Sequence, residues 1–326
     1  MKTVRILLVL GGLAAVGYLI AMTGVDALLA PIRTLSWRLA VFVVFPYAVV
    51  ALLRTVAWRF AFVGAPVSLG RLFSVRLAGE ALNFAAASVG GEPVKAYLLR
   101  PSVPLAAASA AQVLDKTGVT IGQVLFLALG LAVALPVFRL PDDFRWAMVA
   151  LLGLQLVVVI AFVLVQRIGM FGWTLGLLTR LGVRDTQGVR GLLGFDQALT
   201  TLYRERPGRV LACILVHLLG WIVGSLEVYL VLKWLGASSS FTTALVIDAF
   251  GTGVKFLAFA IPGALGVLEG GYMVAFSALG LGSDLGLSFT LIRRLRMVLW
   301  STAGLVVLAF LRASPRATAP TRARHG

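Results

Sequence analysis

The chain has 326 residues, of which 60% are hydrophobic and only 13% charged, and its mean hydropathy is +0.98. That balance excludes a water-soluble globular protein. The formal charge of +16, from 29 basic and 13 acidic residues, reads as arginine retained on the cytoplasmic side of a membrane and facing anionic headgroups, not as nucleic-acid binding.

Taken in order, the chain alternates apolar runs with short polar connections. A run of about 20 apolar residues rising about 1.5 Å each covers a hydrocarbon core of about 30 Å. Segments of this kind fall at about 5–23, 37–63, 105–135, 145–166, 209–233 and 284–311. The first follows the basic start Met1–Arg5 and has no convincing small-x-small cleavage site, so it reads as a retained span and not as a signal peptide. Two further regions, about 71–100 and 240–282, are apolar but broken by glycine and proline. Alternating segments of about ten residues, the mark of a membrane barrel, are absent. The expected fold class is therefore an all-α polytopic membrane protein with about six full spans and two broken, re-entrant helix pairs. Residues 1–311 form one transmembrane domain, and 312–326 read as a basic, disordered tail.

Charge sets the orientation. The connection 136–145 is short and carries Asp142 and Asp143, which suits the outer face. The loop 167–209 carries seven arginines against three acids, and the tail has four arginines and no acid. Both are expected in the cytoplasm, which puts both termini on the cytoplasmic side of the inner membrane. Arg33 and Arg38, in the first outer loop, run against this pattern.

The two broken regions resemble each other. "GEALNFAAASVGGEPVKAYLLR" and "VKFLAFAIPGALGVLEGGYMVAF" each read as a half-helix, a small-residue turn, a glutamate and a second short helix. Glu92 and Glu269 lie 177 residues apart, and the same offset carries Lys116 to Arg293. By the charge-derived topology the first region is entered from the cytoplasm and the second from outside. The expectation is an inverted repeat, about 64–135 and 240–311, with the breaks lining a buried or wet cavity. Gly90, Gly91, Pro93, Pro262, Gly263 and Gly266 are the candidate helix breaks, where freed backbone amides can hold a charged group. Lys116 and Arg293 fall about 14–17 Å into their helices, near mid-membrane.

An ionisable side chain in a span costs about 2.5–3.5 kcal/mol on insertion scales, so it needs a partner or a function. Arg76 and Glu80, spaced i,i+4, read as a structural pair. Asp248 and Lys255 share a helix face and read as a pair or as bridges elsewhere. His217 reads as a hydrogen-bonded helix residue. Glu92, Lys95, Asp115, Lys116, Glu269, Arg293, Arg294 and Arg296 are the candidate substrate-binding residues. There is no HExxH, CxxC, GxSxG or P-loop motif, so no metal and no cofactor is expected. The single cysteine, Cys213, excludes an internal disulfide.

"GEALNF…SVGGEPVKAYLLR", "AAQVLDKTG", "IPGALGVLEGGY" and "LIRRLRMVLW" together resemble the membrane region of lysylphosphatidylglycerol synthases and the stand-alone flippase-like proteins related to it. The resemblance spans nearly the whole chain. In bifunctional relatives this region is linked to moving aminoacylated phosphatidylglycerol between leaflets, while a separate soluble domain makes that lipid. Only the tail follows the last span here, so a stand-alone member is expected and the synthase activity is not carried over. The resemblance implies translocation of an anionic, aminoacylated, hopanoid-associated or polyprenyl-linked lipid, with membrane lipids as partners and no enzymatic activity. The rival readings are an intramembrane headgroup transferase with Glu92 or Asp115 as base, and an accessory subunit partnered with a lipid-synthesis enzyme.

Overall fold

The computed structural model describes residues 10, 14, 17, 18, 20, 21, 24, 26, 37–62, 67–85, 91–168, 187–258, 261 and 264–311. The expected first span is thus described only at isolated positions. Gly90, Pro262, Gly263, part of the loop 167–209 and the tail lie outside the described residues.

Every element among the described residues is a helix. In chain order they are α1 (Trp37–Arg59), α2 (Leu69–Ala85), α3 (Gly91–Leu99), α4 (Leu105–Val137), α5 (Asp142–Ile168), α6 (Gln187–Glu205), α7 (Pro207–Trp234), α8 (Phe241–Leu257), α9 (Val267–Ala278) and α10 (Ser283–Phe310). Three are long and apolar enough to cross a membrane: Leu105–Val137, Asp142–Gln166 within α5, and Pro207–Trp234. A helix satisfies its backbone groups internally except at its ends, which is why this hydrocarbon-rich chain folds this way.

The glycine- and proline-broken regions each fold as two helices, α2 with α3 and α8 with α9. The helix starts are chemically marked. Ser240 caps α8, its hydroxyl accepting from the Thr243 amide at 3.1 Å, and Pro207 occupies the first turn of α7, where its missing donor costs nothing. Arg209 donates to the Phe60 carbonyl at 2.9 Å and to the Phe62 carbonyl at 2.8 Å. It thereby satisfies carbonyls in the turn that follows α1.

Helix α6 was not expected, since its sequence lies in the arginine-rich loop. Phe195, Leu199 and Leu202 recur at helical spacing and are buried. Phe195 and Leu199 pack on Ala110 of α4, and Leu202 joins a cluster with Leu114 and Ala111.

The packing follows a two-fold pattern. Helix α1 packs on α2, α2 on α3 and α3 on α4; likewise α7 packs on α8, α8 on α9 and α9 on α10. Across the two sets, α2 packs on α10 as α8 packs on α4, and α1 packs on α7. Small residues bring the crossing helices together. A methyl group at Gly304 of α10 would overlap the Leu77 carbonyl of α2, and one at Gly130 of α4 would overlap the Ala249 methyl of α8.

Candidate functional site

Charged side chains from both sets of helices converge inside the bundle. Arg76 and Glu80 stand one turn apart on α2 and lie 3.6 Å apart. The shorter contact of Arg76 runs to α4, where it donates to Asp115 Oδ2 at 2.7 Å. The Asp115 Oδ1 atom lies 3.0 Å from His217 Nε2 of α7. Arg76 is therefore a tie between helices and not only the local pair that its spacing suggested.

Lys95 of α3 is 1% exposed and donates to Glu80 at 2.9 Å and to Glu92 at 3.2 Å. Glu92 also accepts from Asn83 at 3.0 Å and from Gln112, and lies 3.5 Å from Lys116 Nζ. Two glycines make room for this cluster. A methyl at Gly79 would overlap the Lys95 side chain, and one at Gly91 would overlap the Gly79 carbonyl. The Gly91 amide donates to Asn83 Oδ1 at 2.7 Å, which ties the start of α3 to α2. Gly91 and Pro93 were expected within the break. Both instead lie in the first turn of α3, because those early amides have no helical partner and a proline is tolerated there.

In the second set, Glu269 of α9 accepts from Arg294 of α10. Arg293 donates to Asp248 of α8 at 2.6 Å and to the Tyr272 hydroxyl, and its Nε lies 3.4 Å from Glu227 of α7. Arg296 donates to Glu227. The sequence spacing matched Lys116 with Arg293, but it is Arg294 that meets Glu269 as Lys116 meets Glu92. Adjacent helix positions point about 100° apart, so the glutamate selects one arginine of the pair by face. Asp248 goes to Arg293, and not to Lys255 as its spacing had allowed. Gly266 precedes α9 with φ 78°, a conformation that glycine adopts without strain. As at Gly79, a methyl at Gly251 would overlap a facing side chain, here Tyr272.

These groups line a cavity with two lobes. One, of about 180 Å³, is walled by Arg54, Glu80, Glu227, Asp248, Tyr272, Arg293, Arg294 and Arg296 among others. The second, of about 320 Å³, is walled by Arg54, Arg76, Glu80, Glu92, Lys95, Asp115, Lys116 and Lys255 among others. Six residues line both lobes and form the neck between them: Arg54, Glu80, Trp221, Lys255, Leu268 and Met297. Glu92, Lys116 and Arg293 thus stand in adjoining lobes. Glu269 is on neither wall and reaches the site through Arg294.

The sequence reading missed Arg54 as a site residue and left Lys255 only as a structural charge. Both are without an ion pair among the described residues. The Arg54 guanidinium lies 4.7 Å from the Trp221 ring centroid, and Lys255 lines both lobes. A lone arginine inside "YAVVALLRTVAW" was the available signal. Asp115, Cys213 and His217 place three possible metal-ligand atoms within 4.8 Å of one another. Asp115 is already engaged there by the Arg76 guanidinium, which would repel a bound cation.

An all-helical bundle with membrane-length helices and an internal charged cavity defines a multi-pass membrane protein. The family described as "Lysylphosphatidylglycerol synthase TM region" matches residues 4–311, and the chain belongs to it. A protein described as a UPF0104 membrane protein from Methanothermobacter thermautotrophicus is 26% identical over 262 residues, covering 76% of this chain and 76% of that one. No solved structure matches. Family membership points to a lipid-related membrane function.

Proposed function

We propose that the protein is a flippase- or scramblase-like translocator that passes an anionic lipid headgroup between leaflets of the inner membrane. The observation that carries this reading is the two-lobed charged cavity, walled by both helix sets within an apolar bundle. In this reading α1–α4 and α7–α10 are an inverted repeat. Six spans cross the membrane, α2–α3 and α8–α9 are re-entrant from opposite faces, and both termini are cytoplasmic. The two-fold packing pattern supports the repeat, and the arginine distribution supports the inversion. The headgroup occupies the cavity while its tails stay in the bilayer. Arg293, Arg294, Arg296, Lys95 and Lys116 set the attraction for it; Glu92 holds Lys95 and Lys116, Glu269 holds Arg294, and Asp115 anchors the neighbouring Arg76.

Glu92 and Asp115, the bases that a headgroup transferase would use, are each held by at least two donors or cations. That supports translocation without chemistry, and hence a protein that is not an enzyme. Reconstitution tests it. Leaflet exchange of labelled anionic lipid in liposomes, with no new product by mass spectrometry, is the expected result. A new lipid product would favour the transferase. No exchange, with co-purification of a lipid-synthesis enzyme, would favour the accessory subunit.

A further inference from the structure

We propose that the neck between the two lobes is a binding site for a phosphomonoester dianion, the terminal phosphate of a lipid monophosphate. A lipid as its source rests on the translocation reading; the phosphate site does not.

The argument is a charge balance. Among the described residues the cavity walls hold eight cations: Arg54, Arg76, Lys95, Lys116, Lys255, Arg293, Arg294 and Arg296. Six acids lie within 4 Å of six of them: Glu80, Glu92, Asp115, Glu227, Asp248 and Glu269. Eight cations against six acids leaves two, and the two without a partner are Arg54 and Lys255. Both stand at the neck. Among the described residues no other acid supplies the balance. Asp142, Asp143 and Asp284 begin α5 and α10, Asp196 and Glu205 lie on α6, and Asp26 is exposed near the N-terminus. Asp185 lies outside the described residues.

Glu80 also lines the neck, but it is held by Lys95 and Arg76; Arg54 and Lys255 have no acid of their own, and an anion that offsets both is favoured over one that offsets half. A phosphomonoester carries about −1.5 to −2 at pH 7. A phosphodiester carries one negative charge, and an aminoacyl ester adds positive charge to a site already in surplus. Arg54 offers a planar fork to two phosphate oxygens, and Lys255 adds a point charge. The neck therefore selects by charge number, and a cationic aminoacylated headgroup is the poorest match.

The test titrates the purified full-length chain in nonionic detergent with four probes: dodecyl phosphate, dodecyl methyl phosphate, inorganic phosphate and dodecyltrimethylammonium. Dodecyl phosphate should bind about tenfold or more tightly than the methyl diester, and the ammonium should not compete. Arg54→Gln and Lys255→Gln should each weaken dodecyl phosphate binding about tenfold, the loss expected for one charged hydrogen bond. Arg190→Gln should leave it unchanged. Equal binding of monoester and diester by the unaltered protein overturns the proposal, whether or not the variants fold. So does full affinity in both glutamine variants. Inorganic phosphate binding as tightly as dodecyl phosphate overturns lipid as the source and leaves a soluble-anion site. Dodecyl phosphate binding without leaflet exchange of any lipid overturns translocation and leaves the site standing. Exchange without preference for the monoester does the reverse.

Discussion

Asp115 accepts from Arg76 and contacts His217 inside the bundle, so its removal leaves a buried guanidinium with only its longer 3.6 Å contact to Glu80. Asp115→Ala should cost about 3–5 kcal/mol, the usual penalty for breaking a buried pair. The double change Arg76→Leu with Asp115→Leu should recover much of it, because no lone charge remains. Unfolding midpoints in detergent measure both, and a double variant no more stable than Asp115→Ala would refute the pairing argument. A second residue-scale prediction concerns close approach. Gly91→Ala drives a methyl into the Gly79 carbonyl and should cost about 1–3 kcal/mol, as overpacking does. Gly270→Ala, where nothing lies within 4 Å, should cost far less. At this scale the sequence was partly legible. Glu92, Lys95 and Lys116 stood out as charges beside a break, and they do meet. The choice of Arg294 over Arg293 was not legible, since it depends on how α10 is rotated against α9. Arg54 was legible in principle, as a lone charge in an apolar helix, but its role depends on Trp221 and Lys255, which approach it only in the fold.

Among the elements, the broken pairs were the most readable, because glycine and proline forbid a continuous helix in ways that spacing alone reveals. Their boundaries were less so. Pro93 looks like a breaker in sequence yet sits where a helix start tolerates it. Helix α6 was hidden by its arginines, which drew attention to orientation and away from the apolar stripe Phe195, Leu199 and Leu202. That stripe seats α6 on α4, while Tyr203 donates from its hydroxyl to Gln166 at 2.6 Å. An amphipathic helix so placed should lie along the inner surface of the membrane. A cysteine at Gln187 in a variant lacking Cys213 should therefore react with an impermeant reagent only after the inner face is opened. Reaction in intact cells would reverse the orientation, and the cytoplasmic placement of α6 with it. Arg209 shows that the loop charges are not all topological, since it holds the end of α1.

For the whole molecule, the cavity joins the two helix sets, so a substitution in its wall should act on transport while a surface one should not. Arg293→Ala should reduce leaflet exchange in liposomes about tenfold or more, as loss of a charged contact to the headgroup implies. Arg190→Ala should leave it within error, and equal effects would remove Arg293 from the site. Membership of an all-helical membrane class was readable from composition alone. The two-fold packing was only half readable, because the turns in the two sets differ in length and no single offset aligns every helix. The ion pairs have one more consequence, for biosynthesis. Arg76 with Asp115, Glu80 with Lys95, and Glu92 with Lys116 all close within residues 76–116. Asp248 with Arg293, Glu269 with Arg294, and Glu227 with Arg296 close within 227–296. A ribosome feeding this chain into the membrane therefore releases each costly charge with its partner close behind. The early segment can neutralise most of its own charges before the later one emerges, and of the described cavity cations Arg54 and Lys255 are left without an ion pair when synthesis is complete.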